Sequence, residues 1–303
     1  MKNDCPRVTA LMPVYNNEQY LAAAVESILN QTFRDFEFII IDDGSSDGSL
    51  QMLERYAGED SRIRLFSRPN TGYTIALNQG LRIARGEYIA RMDADDIASP
   101  DRFQRQVQFL DDHPDCTVVG GNVLLIDRDG DPIREMCLGY SHEEIDAAHM
   151  QGKGGAIIHP AATIRKSAID LVGEFREDYE CAEDLDIFLR LAEVGKVANL
   201  PEVVLHYRQH LSSIGYSRAD EQQRYTVCAV RDAHERRGVP LPPEWQYTIQ
   251  GKVSAASAYR KWVWWALSGQ NVGTARKYAV KALLREPYTV ESWRAMFCAV
   301  RGH

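Results

Sequence analysis

Two apolar patterns alternate along the N-terminal third of the chain. Unbroken apolar runs, VTALMPVY at 8–15 and FEFIIID at 36–42, have the composition of buried strands. Between and after them, apolar residues recur every three or four positions. Leu21, Val25, Ile28 and Leu29 share a face over 17–32, and Leu50, Leu53 and Ala57 mark the next helix. A short strand is expected at RIRLF (62–66), a helix over 72–84, and a further strand through Tyr88, Ile89 and Ala90. Pro100 stands where a first helical turn begins, with Phe103, Val107 and Leu110 as its apolar stripe. Strands alternating with helices predict an α/β fold, a mostly parallel sheet with helices on both faces.

The middle of the chain is less regular. Residues 117–133 read as a strand running into a turn at Asp129-Gly130, and 154–175 as a loop, a strand and a short helix. Residues 182–195 form an amphipathic helix with Leu185, Phe188, Leu189 and Ala192 inward, and 203–210 a further strand. Beyond about Tyr216 only helical patterns remain. The expected division is an α/β domain over 1–215 and a helical extension over 216–303.

In a parallel sheet, ligands bind beyond the carboxyl ends of the strands. Three such ends carry polar signatures here: Pro13-Val14-Tyr15-Asn16, Asp42-Asp43-Gly44-Ser45 and Asp93-Ala94-Asp95-Asp96. They are expected to converge on one crevice. Crowded carboxylates raise one another's pKa unless something positive lies between them. Asp93 and Asp95 alternate at a strand end, so both can aim at one point, and hard divalent cations take such ligands together with substrate phosphates. Solvated loop charge explains an isolated triplet equally well. At 42–43 one aspartate is spare, because Ser45, Ser46 or Asp47 can cap the following helix. The acidic start of the helix at Glu183-Asp184-Leu185-Asp186 has its own ordinary explanation in the helix dipole. Neither a G-x-G-x-x-G turn after the first strand nor a G-x-x-x-x-G-K-[ST] loop is present, which removes most support for dinucleotide cofactors and P-loop hydrolysis.

Charge and composition add a location and an asymmetry. No apolar run is long enough to span a bilayer, and the N-terminus lacks a signal-peptide layout, so a cytoplasmic protein is expected. The six cysteines are scattered without a C-x-x-C pair and read as reduced thiols. From Trp245 onward the chain has nine basic and two acidic residues, a charge of +7, which leaves −15 for the remainder of a chain whose net charge is −8. All five tryptophans lie in this basic end. Clustered Trp, Lys and Arg on helices suit contact with an anionic membrane surface, although packing against the α/β domain accounts for the aromatics as well. Gly269, Ala275, Ala279 and Pro287 give the segment the look of one tetratricopeptide-like helix pair.

As a group the motifs resemble the family 2 glycosyltransferases, which have the GT-A fold. The resemblance is carried by ALMPVYNNEQYLAAAVESILNQTFRDFEFIIIDDGSSDGS, RPNTGYTIALNQGLRIARGEYIARMDADDIASPDRF, HPAATIRKS and EDLDIFLRL, in family order over about Val8 to Arg208. It implies that Pro13, Val14 and Tyr15 line the nucleotide, that Asp43 binds the base, and that Asn70, Gly72 and Asn78 lie beside it. It implies a metal-binding D-x-D at Asp93 and Asp95, with Asp95 the surer ligand of Mn²⁺ or Mg²⁺, and a catalytic base at Asp184. His159 and His210 match positions near the acceptor or the diphosphate, and His210 is a further candidate metal ligand; a structural role fits each histidine equally well. The implied partners are a nucleoside-diphosphate sugar, with a UDP-sugar expected, and a glycan or lipid-linked acceptor in cell-surface polysaccharide or glycoconjugate synthesis. No nucleic acid is expected; peripheral membrane contact and an oligomer remain open. The main rival is a catalytically inactive nucleotide-sugar-binding scaffold. A nucleotidyltransferase is disfavoured because LMPVYNNEQY lacks a glycine-rich basic loop.

Overall fold

Every residue of Val8–Val14 and of Phe36–Asp42 is buried, as fits strands covered on both faces. The computed structural model describes residues 5–241 and 253–303. Its elements run β1 (Val8–Val14), α1 (Glu18–Leu29), β2 (Phe36–Asp42), α2 (Ser49–Glu59), β3 (Ile63–Ser67), α3 (Tyr73–Ile83), β4 (Tyr88–Arg91), β5 (Ile97–Ala98) and α4 (Arg102–Asp112). Then follow β6 (Cys116–Asp127), β7 (Pro132–Met136), α5 (His142–Met150), β8 (Thr163–Arg165), α6 (Lys166–Val172), α7 (Glu183–Val194), β9 (Lys196–Gln209), α8 (Ile214–Ser217) and α9 (Ala219–Arg237). The chain closes with α10 (Ala255–Ser268), α11 (Val272–Arg285) and α12 (Val290–Arg301).

The sheet order is β3-β2-β1-β4-β8-β6-β9-β5, with β7 paired to β6. The four N-terminal strands are mutually parallel, β6 and β9 are parallel, and β8, β5 and β7 join antiparallel. Register fixes what the strand ends present. Val14 pairs with Asp42, and Leu11 with Arg91. Two residues beyond Arg91 the chain reaches Asp93, level with Pro13. The three polar strand ends therefore lie side by side.

The last three helices share the core of the sheet. Trp262, Val263, Ala266, Tyr278 and Ala295 belong to the same buried cluster as Met12, Phe103 and Val123. α10 and α11 pack together, and both bury small residues: Ala258 and Ala266 in α10, Ala275, Ala279 and Ala282 in α11. A polar clamp ties α11 to the end of β6. Asp127, at the end of β6 and fully buried, accepts the backbone N–H groups of Asp129 and Asp131 at 2.9 Å each and the Tyr278 hydroxyl at 3.0 Å. Lys277 Nζ ion-pairs with Asp127 at 2.5 Å and with Asp129 and Asp131 at 2.7 Å. The tryptophans divide. Trp262 is buried and donates Nε1–H to the Tyr216 hydroxyl at 2.7 Å, and Trp265 lies under Arg134, whereas Trp264 and Trp293 are exposed. Trp245 and Lys252 lie outside the described residues.

Replacing Lys277 by Met leaves the buried Asp127 carboxylate without its cation. Breaking a buried pair on one side costs about 3–5 kcal/mol, and partial exposure of the lysine brings the expected loss to roughly 2 kcal/mol. Urea unfolding of the Lys277→Met variant measures it; a change within about 0.5 kcal/mol, the ordinary range of surface substitutions, would show that the clamp contributes little.

Candidate active site

The loop after β1 is tied to the loop after β2. Asn16, with a φ of +50°, accepts from the Ser46 N–H at 2.7 Å through Oδ1, and its own N–H donates to Ser45 Oγ at 3.0 Å. The two neighbouring aspartates separate cleanly. Asp42 faces inward and accepts from Ser45 N–H and from the Ser67 hydroxyl, so it is the structural member. Asp43 faces the cleft and holds its far wall: it accepts from the N–H groups of Thr71 at 3.1 Å and Gly72 at 2.9 Å, and pairs with Arg68 at 2.8 Å. Gly44, at φ +77°, lets this wall close, because a Cβ there would stand 2.6 Å from Asn70 N.

The cleft so formed has a volume of about 710 Å³. Pro13, Val14, Tyr15, Asp43, Asn70 and Gly72 line one part of it; Asp93, Asp95, His159, Asp184 and His210 line the rest. Asn78 does not line it. Its amide is fully engaged by one residue, donating to Phe175 O at 2.8 Å and accepting Phe175 N–H at 3.0 Å, so it ties α3 to the segment before α7. Asn78, expected beside a nucleotide, thus stands behind the cleft lining in this structure.

At the acidic turn, Asp93, Asp95 and Asp96 each offer an oxygen within 4.8 Å of the others. Asp93 pairs with the buried Arg91 and accepts from the Tyr73 hydroxyl at 3.3 Å. Asp95 accepts from His210 Nε2–H at 2.8 Å, and His210 stacks on Tyr20. Asp96 is buried; Oδ1 accepts the Arg208 N–H at 2.8 Å, and Oδ2 has no partner among the described residues. Burial, with the charges of its two neighbours, pushes the Asp96 carboxyl well above its ordinary range, and burial likewise raises Asp93 against the pull of Arg91. Three oxygen donors and a buried orphan carboxylate oxygen form a set that suits a hard divalent cation.

Facing this turn is the start of α7. Cys181, with a φ of +70°, turns the chain so that Glu183 and Asp184 both line the cleft. Such a conformation is unusual for a side chain other than Asn, Asp or Gly and costs on the order of 1–3 kcal/mol. One Asp184 oxygen accepts the Leu185 N–H at 2.7 Å. Burial pushes Asp184 up to about 6, and burial together with the Asp184 charge pushes Glu183 up to about 8. Glu183 Oε2 and His159 Nε2 are both buried without hydrogen-bond partners among the described residues. His159 is boxed in by Tyr73, Phe175 and Phe188, and burial holds it neutral, well below its usual pKa.

Sequence reasoning passed over four of these residues. Arg91 and Arg208 are buried cations beneath the acidic turn; Arg208 Nε–H donates to the Asp95 carbonyl at 2.7 Å. A charge inside the apolar run EYIARMD was the available signal for Arg91. Tyr73 lies between Arg91 and His159. Glu183 stands in EDLD, where the helix dipole accounts for an acidic residue as readily as a place in the site does. A second groove, of about 1160 Å³, opens at Asp95 and His210 and runs between Tyr20 and the α10–α11 residues Tyr259 and Lys281.

Comparison with known proteins was consistent across sequence and fold. A model described as Glycosyl transferase family 2 matches residues 9–172. The putative glycosyltransferase EpsE of Bacillus subtilis (strain 168) is 35% identical over 212 residues, 68% of this chain and 74% of its own length. The hyaluronan synthase of Pasteurella multocida is 31% identical over 238 residues, 78% of this chain but 24% of that much longer protein. Among solved structures, the mannosyltransferase PcManGT from Pyrobaculum calidifontis, in complex with GDP-Man and Mn²⁺, superposes with a TM-score of 0.59 at 20% identity, covering 99% of this chain and 86% of its own. At that identity the likeness is one of fold, and it bears out the GT-A expectation.

The raised Glu183 pKa has a thermodynamic consequence. The folded carboxyl, at about 8, keeps a proton that the unfolded one, near 4.3, has lost. Its contribution to stability therefore falls as pH rises between these values. The buried His149 and His159, whose pKa values are lowered, oppose it only below about 6.5, the unfolded histidine value. The cation-free protein should lose melting temperature between pH 6.5 and 8, and the Glu183→Gln variant should lose less. Identical pH profiles for the two proteins would contradict the assignment.

Proposed function

The chain belongs to glycosyl transferase family 2, and on that premise we propose that it is an inverting transferase. It moves a sugar from a nucleoside-diphosphate donor to an acceptor hydroxyl. The observation that carries this reading is the placement of Asp184 in the same cleft as Asp93 and Asp95, with its pKa near 6. A carboxyl of that pKa is ionised at neutral pH yet remains more basic than a solvated aspartate, as suits a general base.

The nucleotide is assigned to the wall of Pro13, Val14, Tyr15, Asp43, Asn70 and Gly72, where rigid backbone ties present a fixed surface. A UDP-sugar is the first donor to test. Asp184 takes the proton of the acceptor hydroxyl as that oxygen bonds to the anomeric carbon. The bond from that carbon to the diphosphate oxygen breaks on the opposite face, so a single displacement inverts the configuration. Asp95, with Asp93 and Asp96, would hold a Mn²⁺ or Mg²⁺ ion, which supplies charge neutralisation for the departing diphosphate. His210 orients the Asp95 carboxylate from behind rather than needing to be a ligand itself. Cell-surface polysaccharide or glycoconjugate assembly is the setting supported by the likeness to EpsE and to a hyaluronan synthase.

The test pairs two variants in a donor-turnover assay run over a panel of sugar nucleotides. Asp184→Asn should keep donor affinity and lose transfer by about 10²-fold or more, the scale of a general base. Asp95→Ala should lose cation-dependent transfer while remaining folded, and wild-type turnover should stop in excess EDTA. Loss of nucleotide binding in Asp184→Asn would move that residue to the donor site. Full turnover in EDTA or in Asp95→Ala would remove the cation from the account.

A further inference from the structure

The amphipathic pattern of α12 is reversed. Its inward face carries small residues, Ser292, Ala295 and Ala299, all buried. Its outward face carries Val290, Trp293, Phe297 and Val300, spaced three, four and three residues apart and so forming one stripe. These side chains are 57–77% exposed, and Leu284 (78%) and Tyr288 (98%) add to the apolar surface from the end of α11 and the turn that follows. Buried contacts therefore do not explain why this helix is apolar on the outside.

The charges around the stripe identify what would cover it. Arg294 and Arg301 fall beside it on the helical wheel, with Arg301 over the Phe297 ring and Arg294 over Trp264, and Arg285 follows Leu284. None of these three arginines has an ion pair among the described residues, whereas Arg260 pairs with Glu286 and Lys277 with three aspartates. Face-to-face pairing of two copies would bring the same arginines together with Glu291 as the one acidic residue on α12. The remainder of the chain carries −15, so net charge favours this end as the one that approaches an anionic surface. Among the described residues, no helix is long and apolar enough to cross a membrane.

We propose that the outward face of α12, with Leu284 and Tyr288, is a docking surface for an anionic lipid bilayer. Trp293, Phe297 and Tyr288 enter the headgroup boundary while Arg285, Arg294 and Arg301 meet lipid phosphates, in the manner of interfacial amphipathic helices. The inference builds on the glycosyltransferase reading by naming the surface at which that enzyme would meet a lipid-linked acceptor. Its test reads lipid partition rather than transfer, so the two can fail separately.

The experiment is co-sedimentation of the full chain with phosphatidylglycerol–phosphatidylcholine vesicles and with phosphatidylcholine vesicles alone, at low and high salt. Wild type should bind only the anionic vesicles, and less as salt rises. Trp293→Ser with Phe297→Ser should reduce binding at least tenfold while the protein stays folded, since both side chains are exposed and the Trp293 Nε1–H bond to the Pro287 carbonyl, 2.7 Å, lies at the surface. Converting Arg285, Arg294 and Arg301 to Gln should cost about fivefold per residue. Absence of binding to anionic vesicles at low salt, equal binding to neutral ones, or unaltered binding by both variants would overturn the proposal. So would a dimer in sedimentation velocity that the Trp293→Ser/Phe297→Ser change dissociates, because a second copy would then occupy the face.

Discussion

Four carboxyl groups that line one cleft, Asp93, Asp95, Glu183 and Asp184, and a fifth, Asp96, buried behind the same acidic turn, set the terms for the rest of this structure. Removing charge from water is costly, and like charges at close range add to the cost. The protein answers with two buried arginines and a histidine placed on the protein side of the cluster. Arg91 meets Asp93, Arg208 donates to Asp96 and to the Asp95 backbone through its own N–H and guanidinium, and His210 meets Asp95. Compensation is incomplete: among the described residues, Asp96 Oδ2 and Glu183 Oε2 have no hydrogen-bond partner. Burial keeps Asp184 near 6, and the carboxylates of the acidic turn suit a cation that arrives with an anionic substrate.

The same constraint gives the C-terminal helices a reason to be where they are. Arg208 reaches the Asp127 carbonyl at 3.0 Å with the guanidinium that also donates to the Asp95 carbonyl. Asp127 in turn receives Lys277 and Tyr278 of α11 through its carboxylate. A continuous set of hydrogen bonds thus runs from α11 through the end of β6 to the acidic turn. Seen this way, the helical extension buttresses the strand end that carries the acidic site, and its inward aromatics belong to the common core. Its outward aromatics, Trp293 and Phe297, form the exposed stripe of α12.

Much of this was legible in sequence because it is periodic. The strands and helices of the first hundred or so residues follow from apolar spacing, and the convergence of Tyr15, Asp43 and Asp93 follows from parallel register alone. The resemblance supplied the pairing of Asp184 with the acidic turn, which spacing could not. What stayed hidden was pairing in three dimensions. Asp42 and Asp43 are chemically identical, and only the facing of the strand end separates the structural carboxylate from the one on the cleft wall. Asn78 sits in the expected motif, yet its amide closes on Phe175, nearly a hundred positions away in sequence. The tryptophans show the same limit: Trp262 and Trp264 are two residues apart, one at the centre of the core and one on the surface, and composition alone treats them alike.

The account rests on the acidic turn and Asp184 dividing the work, the first holding a cation and the second a proton. Anomalous diffraction from crystals grown with Mn²⁺ and a nucleoside diphosphate reads this division directly. The account predicts one manganese peak at bonding distance from Asp95, with Asp93 or Asp96 completing the protein ligands and Asp184 outside the coordination sphere, facing the space where the sugar would lie. A manganese ion bound to Asp184, or none at the acidic turn while the nucleotide is in place, would contradict it.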